Sequence, residues 1–300
     1  MFKIIRKEKL ASNIYLMDID APLVARSCKP VQFVILKMDE KGERIPLTIC
    51  DYDREEGSVT IGFQTLGAST KRMAEYEVGE SYQDFTGPLG HASELTNKSP
   101  SELKKKSCLF VGGGVGIAPI YPQVKWMKEN GVLVDCIIGA RTKDLVILED
   151  KLKQYAKNVY ITTDDGSYGI KGNVTDYIKE LVLNKGKKYD LVVVIGPVIM
   201  MKFVSKLTKE LGIKTIVSMN PIMVDGTGMC GACRLTVGNQ VKFACVDGPE
   251  FDGHLIDFDE AMNRQRMYKT SEGRAVLKTK EGSTHRPEDC DCDDPDEINR

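Results

Sequence analysis

Three cysteines in the last third of the chain are grouped as if to hold a metal. The run reads Asp225-Gly226-Thr227-Gly228-Met229-Cys230-Gly231-Ala232-Cys233, and Cys245 follows after the strand-like stretch RLTVGNQVKFA. Thiolates are good donors to ferric iron, and glycines allow backbone N–H groups to turn inward toward bridging sulfides. The spacing is that of the plant-type C-x4-C-x2-C pattern of a [2Fe-2S] cluster, with Asp225 standing where the first cysteine would be. Such a cluster needs four ligands. Cys230, Cys233 and Cys245 supply three, and Asp225, a harder but acceptable oxygen donor, is the expected fourth. Zinc is the alternative for the same donor set, since three thiolates and a carboxylate can surround it tetrahedrally. The glycines at 226, 228 and 231 suit a cluster cradle better than a zinc knuckle. Cys290 or Cys292, in the acidic tail HRPEDCDCDDPDEINR, is a rival fourth ligand at the entropic cost of closing a long loop.

The chain has nine cysteines. Cys28, Cys50, Cys108 and Cys136 sit singly in apolar or strand-like stretches, where buried thiols are common. The three histidines, His91, His254 and His285, are widely spaced and form no ligand or base pattern. A second chemistry lies at Gly112, Gly113, Gly114, Val115 and Gly116, between the apolar run SCLFVG and a helix-like segment with Pro119 in its first turn. A strand, a glycine loop and a helix in that order bring backbone N–H groups and a helix dipole to a phosphate. The spacing is not G-x-G-x-x-G, which disfavours an ordinary Rossmann dehydrogenase. Asp165 and Gly166 after VYITT, Gly196 and Pro197 after DLVVVI, and Arg141 after another strand-like run should line the same sheet edge. A third candidate is earlier in the chain. Pro46, Leu47, Thr48 and Ile49 form a strand, and Phe63, Thr65, Gly67, Ala68, Ser69 and Thr70 end another before the helix-like KRMAEYE. There, amides and hydroxyls could hold a pyrophosphate. The segment at 87–90, GPLG, reads as a tight loop.

These residues need three kinds of framework. Residues 1–98 read as short alternating segments (NIYLMDIDA, VQFVILKMD, RIPLTICDY, GSVTIGFQT) parted by Gly, Asp and Pro, the pattern of an antiparallel β-barrel. Residues 99–219 alternate unbroken apolar runs with helical spacing in IAPIYPQVKWMKEN, VTDYIKELVLNK and MKFVSKLTKEL, which predicts an α/β domain with a parallel sheet. Both patterns stop at Asn220, leaving a small cluster module over 220–270 and an acidic tail over 271–300. The net charge of -1 carries no polyanion-binding signature, so nucleic acid is not an expected partner. The N-terminal MFKIIRKEKL lacks the apolar run of a signal peptide or membrane span, so a cytoplasmic protein without membrane contact is expected.

The order of the three blocks resembles the ferredoxin-NADP reductase superfamily. Within it the chain is similar to the electron-transfer subunit of dihydroorotate dehydrogenase, and more so to the small subunit of NADH-dependent reduced ferredoxin:NADP oxidoreductase, over about residues 1–270. The resemblance implies FAD on the barrel at Pro46, Leu47 and Thr48 and at the loop from Gly67 to Thr70. It implies NAD(H) at the glycine loop, Asp165-Gly166 and Gly196-Pro197, and a [2Fe-2S] cluster on Asp225 and the three cysteines. In the flavin signature Arg-x-x-Ser/Thr, Arg44 lies one position early and Ile45 occupies the arginine's place. Aspartate at 225 favours the transhydrogenase-type subunit over the dihydroorotate-linked one, which carries cysteine there. The implied function is electron transfer among NAD(H), FAD and the cluster in an electron-bifurcating heterodimer. The implied partner is a larger subunit with FAD, [4Fe-4S] clusters and an NADP(H) site, through which ferredoxin is reached. Two alternatives are a dihydroorotate dehydrogenase electron-transfer subunit and a non-catalytic cofactor-binding docking protein. NADH is favoured over NADPH, because Arg141 is the one obvious candidate for a 2'-phosphate contact.

Overall fold

The computed structural model describes residues 1–281. Seven strands build the first sheet: β1 (Phe2–Ala11), β2 (Ile14–Asp20), β3 (Phe33–Lys37), β4 (Arg44–Asp53), β5 (Ser58–Gln64), β6 (Ser81–Tyr82) and β7 (Asp84–Leu89). They pair antiparallel in the order β6-β1-β2-β5-β4-β3-β7, a nearly closed barrel. Successive side chains on a strand point to opposite faces. Val34, Leu36, Leu47 and Ile49 turn into the barrel core with Ile61 and Phe63, whereas Phe33 and Ile35 turn outward and join a different apolar cluster. Since Ile35 pairs with Pro46 and Phe33 with Thr48, the outward face of β3 and β4 also carries those two flavin candidates. GPLG is not a tight loop. Gly87, Pro88 and Leu89 belong to β7, with a cis Gly87-Pro88 bond, and a Cβ on Gly87 would lie 2.7 Å from Val34 Cγ1, so the strand's approach to β3 calls for glycine there.

The second sheet contains β8 (Cys108–Gly113), β9 (Asp135–Ala140), β10 (Asn158–Thr163), β11 (Ile170–Lys171), β12 (Leu191–Ile195) and β13 (Lys214–Ser218). Its order is β11-β10-β9-β8-β12-β13, all parallel, so the chain runs outward from β8 through β9 and β10 and then returns to the other side of β8 for β12 and β13. Both faces are covered. Leu109 and Val111 pack into one apolar cluster and Cys108 and Phe110 into the other, which explains why these strands read as unbroken apolar runs. The helices Ile117–Glu129, Val174–Lys179 and Val198–Glu210 fall where the spacing predicts them. The short helix Glu149–Tyr155 buries Leu152 alone and leaves no comparable periodic signal.

The C-terminal module holds the cysteine loop, a hairpin of β14 (Arg234–Val237) and β15 (Gln240–Phe243), and β16 (Glu250–Asp252). It is less separate than the break at Asn220 suggests, because β16 pairs antiparallel with β13 and extends the second sheet. The helix Phe258–Gln265 packs on Val198–Glu210, tied by Lys202 Nζ to Asp259 Oδ1 at 2.6 Å. The expected tail over 271–300 is in part a helix, Lys269–Glu281, which reaches back to the barrel helix Ala68–Glu75. Cys290, Cys292 and His285 lie outside the described residues. Among the described residues no helix is long and apolar enough to cross a membrane.

Candidate functional site

The strand order reverses between β8 and β12, and in open α/β sheets the crevice beyond the carboxyl ends of such neighbouring strands is where ligands bind. Gly112 and Gly113 end β8, and Gly196 and Pro197 follow β12, so the two loops flank that point. Their glycines serve two purposes. A Cβ on Gly112 would lie 2.2 Å from Ile117 Cδ1, one on Gly113 2.5 Å from Met200 Sδ, and one on Gly116 2.5 Å from the Ile195 carbonyl oxygen. Gly113 and Gly116 permit the β8 and β12 loops to pack together, and Gly112 makes room for Ile117 of the following helix. Gly114, at φ +56, faces open space with nothing within 4 Å of its Cβ position, so a phosphate can come close to the backbone there. Val115 is half-buried beside it. Met200, unmarked by any sequence motif, fills the gap between Gly113 and Gly196 from the first turn of its helix.

Asp165 and Gly166 lie at the same sheet edge after β10, next to the loop after β9: the Asp165 N–H donates to the Arg141 carbonyl at 3.3 Å. Asp165 is exposed, and the Ser167 hydroxyl and N–H hold its carboxyl below the usual range.

On the barrel, Pro46 and Thr48 are half-buried on the outward face of β4. Leu47, Ile49 and Phe63 are packed into the barrel interior, Phe63 against Tyr15 with ring centroids 5.8 Å apart, so these three support the flavin strand from behind and do not line its outer face. The loop before the helix Ala68–Glu75 also departs from the simplest reading. The Thr70 hydroxyl accepts from the Leu66 and Gly67 N–H groups at 3.0 and 3.1 Å, so it caps its own turn. Ser69 Oγ donates to Glu43, and Thr65 N–H donates to the Asn13 carbonyl at 2.9 Å. Gly67 faces open space, as Gly114 does. The residues present therefore suit a diphosphate approaching Gly67 and the start of the helix at Ala68 and Ser69, with Thr70 shaping the loop.

The cysteine loop is built from left-handed glycines, with φ +81 at Gly226, +86 at Gly228 and +67 at Gly231. Cys233 and Cys245 are buried with their sulfurs 3.2 Å apart, and the Cys245 N–H points at Cys233 Sγ at 3.4 Å. Burial pushes the Cys245 thiol up to about 12, with Cys233 beside it and the Gly228 N–H opposing. Cys230 is exposed, and the N–H groups of Ala232, Asp225 and Val224 lower its thiol from the ordinary value. The Asp225 carboxyl is likewise lowered, chiefly by the Thr227 hydroxyl, with the Thr227 and Met229 N–H groups and Arg44 adding to it. The Thr227 hydroxyl and N–H both donate to Asp225 Oδ2. N–H groups aimed at sulfur, soft thiolates and a glycine cradle fit an iron-sulfur cluster.

The loop also leans on the barrel. A Cβ on Gly226 would lie 2.9 Å from Ile35 Cγ1 and 3.4 Å from Leu89 Cδ1, and Ile35, Phe33, Cys233 and Cys245 share one apolar cluster. Two cavities of about 440 and 580 Å³ lie elsewhere, between the barrel and the helix Ile117–Glu129 around Asp51, Tyr52 and Lys125, and no candidate site residue lines them.

Residues 220–257 match the iron-sulfur cluster binding domain of dihydroorotate dehydrogenase B, and residues 110–206 match the oxidoreductase NAD-binding domain. The chain is 44% identical over 270 residues to a Thermotoga maritima dihydroorotate dehydrogenase B (NAD(+)) electron transfer subunit homolog, across 90% of this chain and 92% of that protein. The chain belongs to the dihydroorotate dehydrogenase B electron-transfer subunit family. Within this family it is also 63% identical, across 97% of its length and 99% of the relative's, to an uncharacterized Clostridium beijerinckii protein in the adh 3' region. A chain in the solved structure of the NADH-dependent reduced ferredoxin-NADP oxidoreductase superposes with a TM-score of 0.85 at 42% identity, across 93% of this chain and 98% of that one. The fold is ferredoxin reductase-like, and the chain is a redox enzyme subunit with an NAD-binding and an iron-sulfur domain. The iron-sulfur match removes zinc as the reading of the cysteine loop.

Proposed function

We propose that this subunit passes electrons between NAD(H), FAD and a [2Fe-2S] cluster as the NAD(H)-binding half of an electron-bifurcating NADH-dependent ferredoxin:NADP+ oxidoreductase. The observation that carries the reading is the contact of the cysteine loop with the flavin strand's neighbour: Gly226 rests on Ile35, and Ile35 pairs with Pro46. When bound, the flavin converts between the hydride of nicotinamide and the single electrons of an iron-sulfur cluster. The chain's residues then have distinct tasks. Gly114 and the helix start at Ile117 receive the dinucleotide phosphates, while Met200 and Pro197 fix the loop beside them. Pro46 and Thr48 hold the flavin ring on the outward barrel face, and Gly67, Ala68 and Ser69 take its diphosphate. Asp225, Cys230, Cys233 and Cys245 ligate the cluster.

The partner under this reading is a larger subunit with its own FAD, [4Fe-4S] clusters and NADP(H) site, with ferredoxin served through the complex. Aspartate at 225 and the likeness to the bifurcating oxidoreductase support it. A second reading, the electron-transfer subunit of a dihydroorotate dehydrogenase, is favoured by the name of the Thermotoga relative. Seven free cysteines among the described residues fit a reducing cytoplasm. Anaerobic purification from the native cell, with flavin, iron and sulfide assays and EPR of the NADH-reduced protein, tests the assignment. Oxidised flavin with no rhombic reduced-cluster signal overturns the cofactor set, and copurification with a dihydroorotate dehydrogenase catalytic chain in place of an NADP-binding flavoprotein overturns the partner.

A further inference from the structure

Two arginines outside the ligand set hold the cysteine loop at its two ends. Arg44, at the start of β4, donates from Nη2 to the Asp225 carbonyl at 3.1 Å. Arg264, on the helix Phe258–Gln265, donates from Nη2 to the Ala232 carbonyl at 3.0 Å. The two acceptors bracket the loop, one at the Asp225 end and one next to Cys233. Arg264 is half-buried, and its Nε is buried without a hydrogen-bond partner. A guanidinium with an unsatisfied buried N–H costs free energy, so its persistence there calls for a compensating negative charge nearby.

Arg44 reaches the loop because of where it stands in its strand. Side chains alternate on a strand, so one position changes the face. Arg44 pairs with Lys37 and shares the face of Pro46 and Thr48, whereas position 45, where the flavin signature has its arginine, pairs with Leu36 and turns to the barrel core. The displaced arginine therefore points away from the interior and toward the cysteine loop.

We infer that Arg44 and Arg264 form a clamp that positions the loop and holds the reduction potential of its cluster up. The inference rests on the reading of that loop as a [2Fe-2S] site. One-electron reduction of such a site, the electron coming from reduced flavin and no proton being taken up, adds one negative charge to a ligand set already composed of three thiolates and a carboxylate. Cations fixed beside it favour the reduced form, since net charge, hydrogen bonding and exposure are what set these potentials. Arg44 is exposed, so solvent and salt screen it, and Arg264 should have the larger effect. Both are positioning residues, since neither is a ligand.

The test is a mediated redox titration of the holo-complex, followed by EPR, for Arg44→Gln, Arg264→Gln, the double variant and the two lysine variants. At a fixed poise near the wild-type midpoint, the reduced-to-oxidised ratio is expected to fall roughly threefold in Arg44→Gln and about tenfold in Arg264→Gln, the latter equal to about 59 mV for a one-electron couple. The double variant falls further than either, and the lysine variants stay closer to wild type than the glutamines. Unchanged midpoints in both glutamine variants at full iron content overturn the inference. If a glutamine variant loses iron, recovery of iron and midpoint in its lysine counterpart supports it. Loss of iron in both lysine variants as well overturns it, since the arginines would then be needed only for folding. A wild-type complex with no cluster signal refutes the underlying cluster reading instead.

Discussion

Glu250 begins β16 opposite Ser218, and its two carboxylate oxygens are buried without a hydrogen-bond partner. Burial pushes its carboxyl up from 4.5 to about 7, the Glu94 carboxylate adds to this, and the Ser93 hydroxyl and Glu94 N–H oppose it without closing well-formed bonds. The sign of the consequence is fixed. Between pH 4.5 and about 7 the folded protein keeps a proton that the unfolded chain has released, so stability is full below 4.5 and falls as pH rises through the folded value. The loss is about 3 kcal/mol once both states are ionised, at 1.36 kcal/mol per pH unit. Glu250→Gln removes the titrating group. Its amide adds a buried donor with a cost of its own, but that cost does not vary with pH. Urea unfolding of the flavin-loaded protein from about pH 5 to about pH 8 should therefore show the variant gaining about 2.5 kcal/mol on wild type across the range, the gain concentrated below about pH 7. Parallel stability profiles for the two proteins would refute the burial argument.

Asp225→Ala should lower iron content and shift the g-values of the reduced signal, while Asp225→Cys should retain iron and lower the potential, because thiolate is the softer and more electron-rich donor. An alanine variant with unchanged iron and g-values removes Asp225 from the ligand set. Gly116→Ala places a methyl 2.5 Å from the Ile195 carbonyl oxygen, so the β8 and β12 loops must part. It should cost about 1–3 kcal/mol of stability by overpacking and weaken NADH binding, read by thermal unfolding and by flavin bleaching. Cys233 and Cys245 have sulfurs 3.2 Å apart, near enough to join once chelation has removed the iron. Exposure of that apo-protein to oxygen should join them, two thiols giving up two electrons and two protons. The check is a mass loss of two hydrogens, mapped to these residues and reversed by reductant; a bond mapped to Cys230 would show the loop to be rearranged.

Much of this architecture was legible because each part obeys a strong local rule. The unbroken apolar runs of β8, β9 and β12 can be buried only in a sheet covered on both sides, whereas the strand order that sets the switch point beside Gly113 and Gly196 is visible only in the fold. What escaped is tertiary. β16 is three residues long and becomes a strand only because β13 offers it an edge. Leu47, Ile49 and Phe63 belong to the flavin strands by sequence, but which face they occupy depends on the pairing with β3 and β5, which periodicity does not specify. Thr70 looked available to a phosphate, and the fold uses its hydroxyl to close its own loop. Arg264 carries no motif at all. Its relation to the cysteines arises when a helix more than thirty residues downstream of Ala232 folds back on the loop.

The way the cysteine loop is fastened bears on how electrons leave the flavin. A module attached by a linker at Asn220 could swing between donor and acceptor. Here the chain after the loop returns as β16 into the NAD-binding sheet, and the loop's own Gly226 sits on Ile35 of the barrel, so the module is held by both of the other domains at once. Ile35 stands opposite Pro46, and paired strand residues lie about 5 Å apart, while Arg44 of the same strand reaches the Asp225 carbonyl, so flavin strand and cluster loop are near neighbours. Gly226→Ala probes this contact directly. The left-handed φ of +81 and a Cβ 2.9 Å from Ile35 oblige the loop to lift from the barrel, while the hairpin and β16 stay where they are. Cluster reduction by NADH should then slow while hydride transfer to flavin, read as bleaching, keeps its rate. A variant in which both rates fall together, or neither changes, would mean that the barrel contact does not set the distance between the two centres.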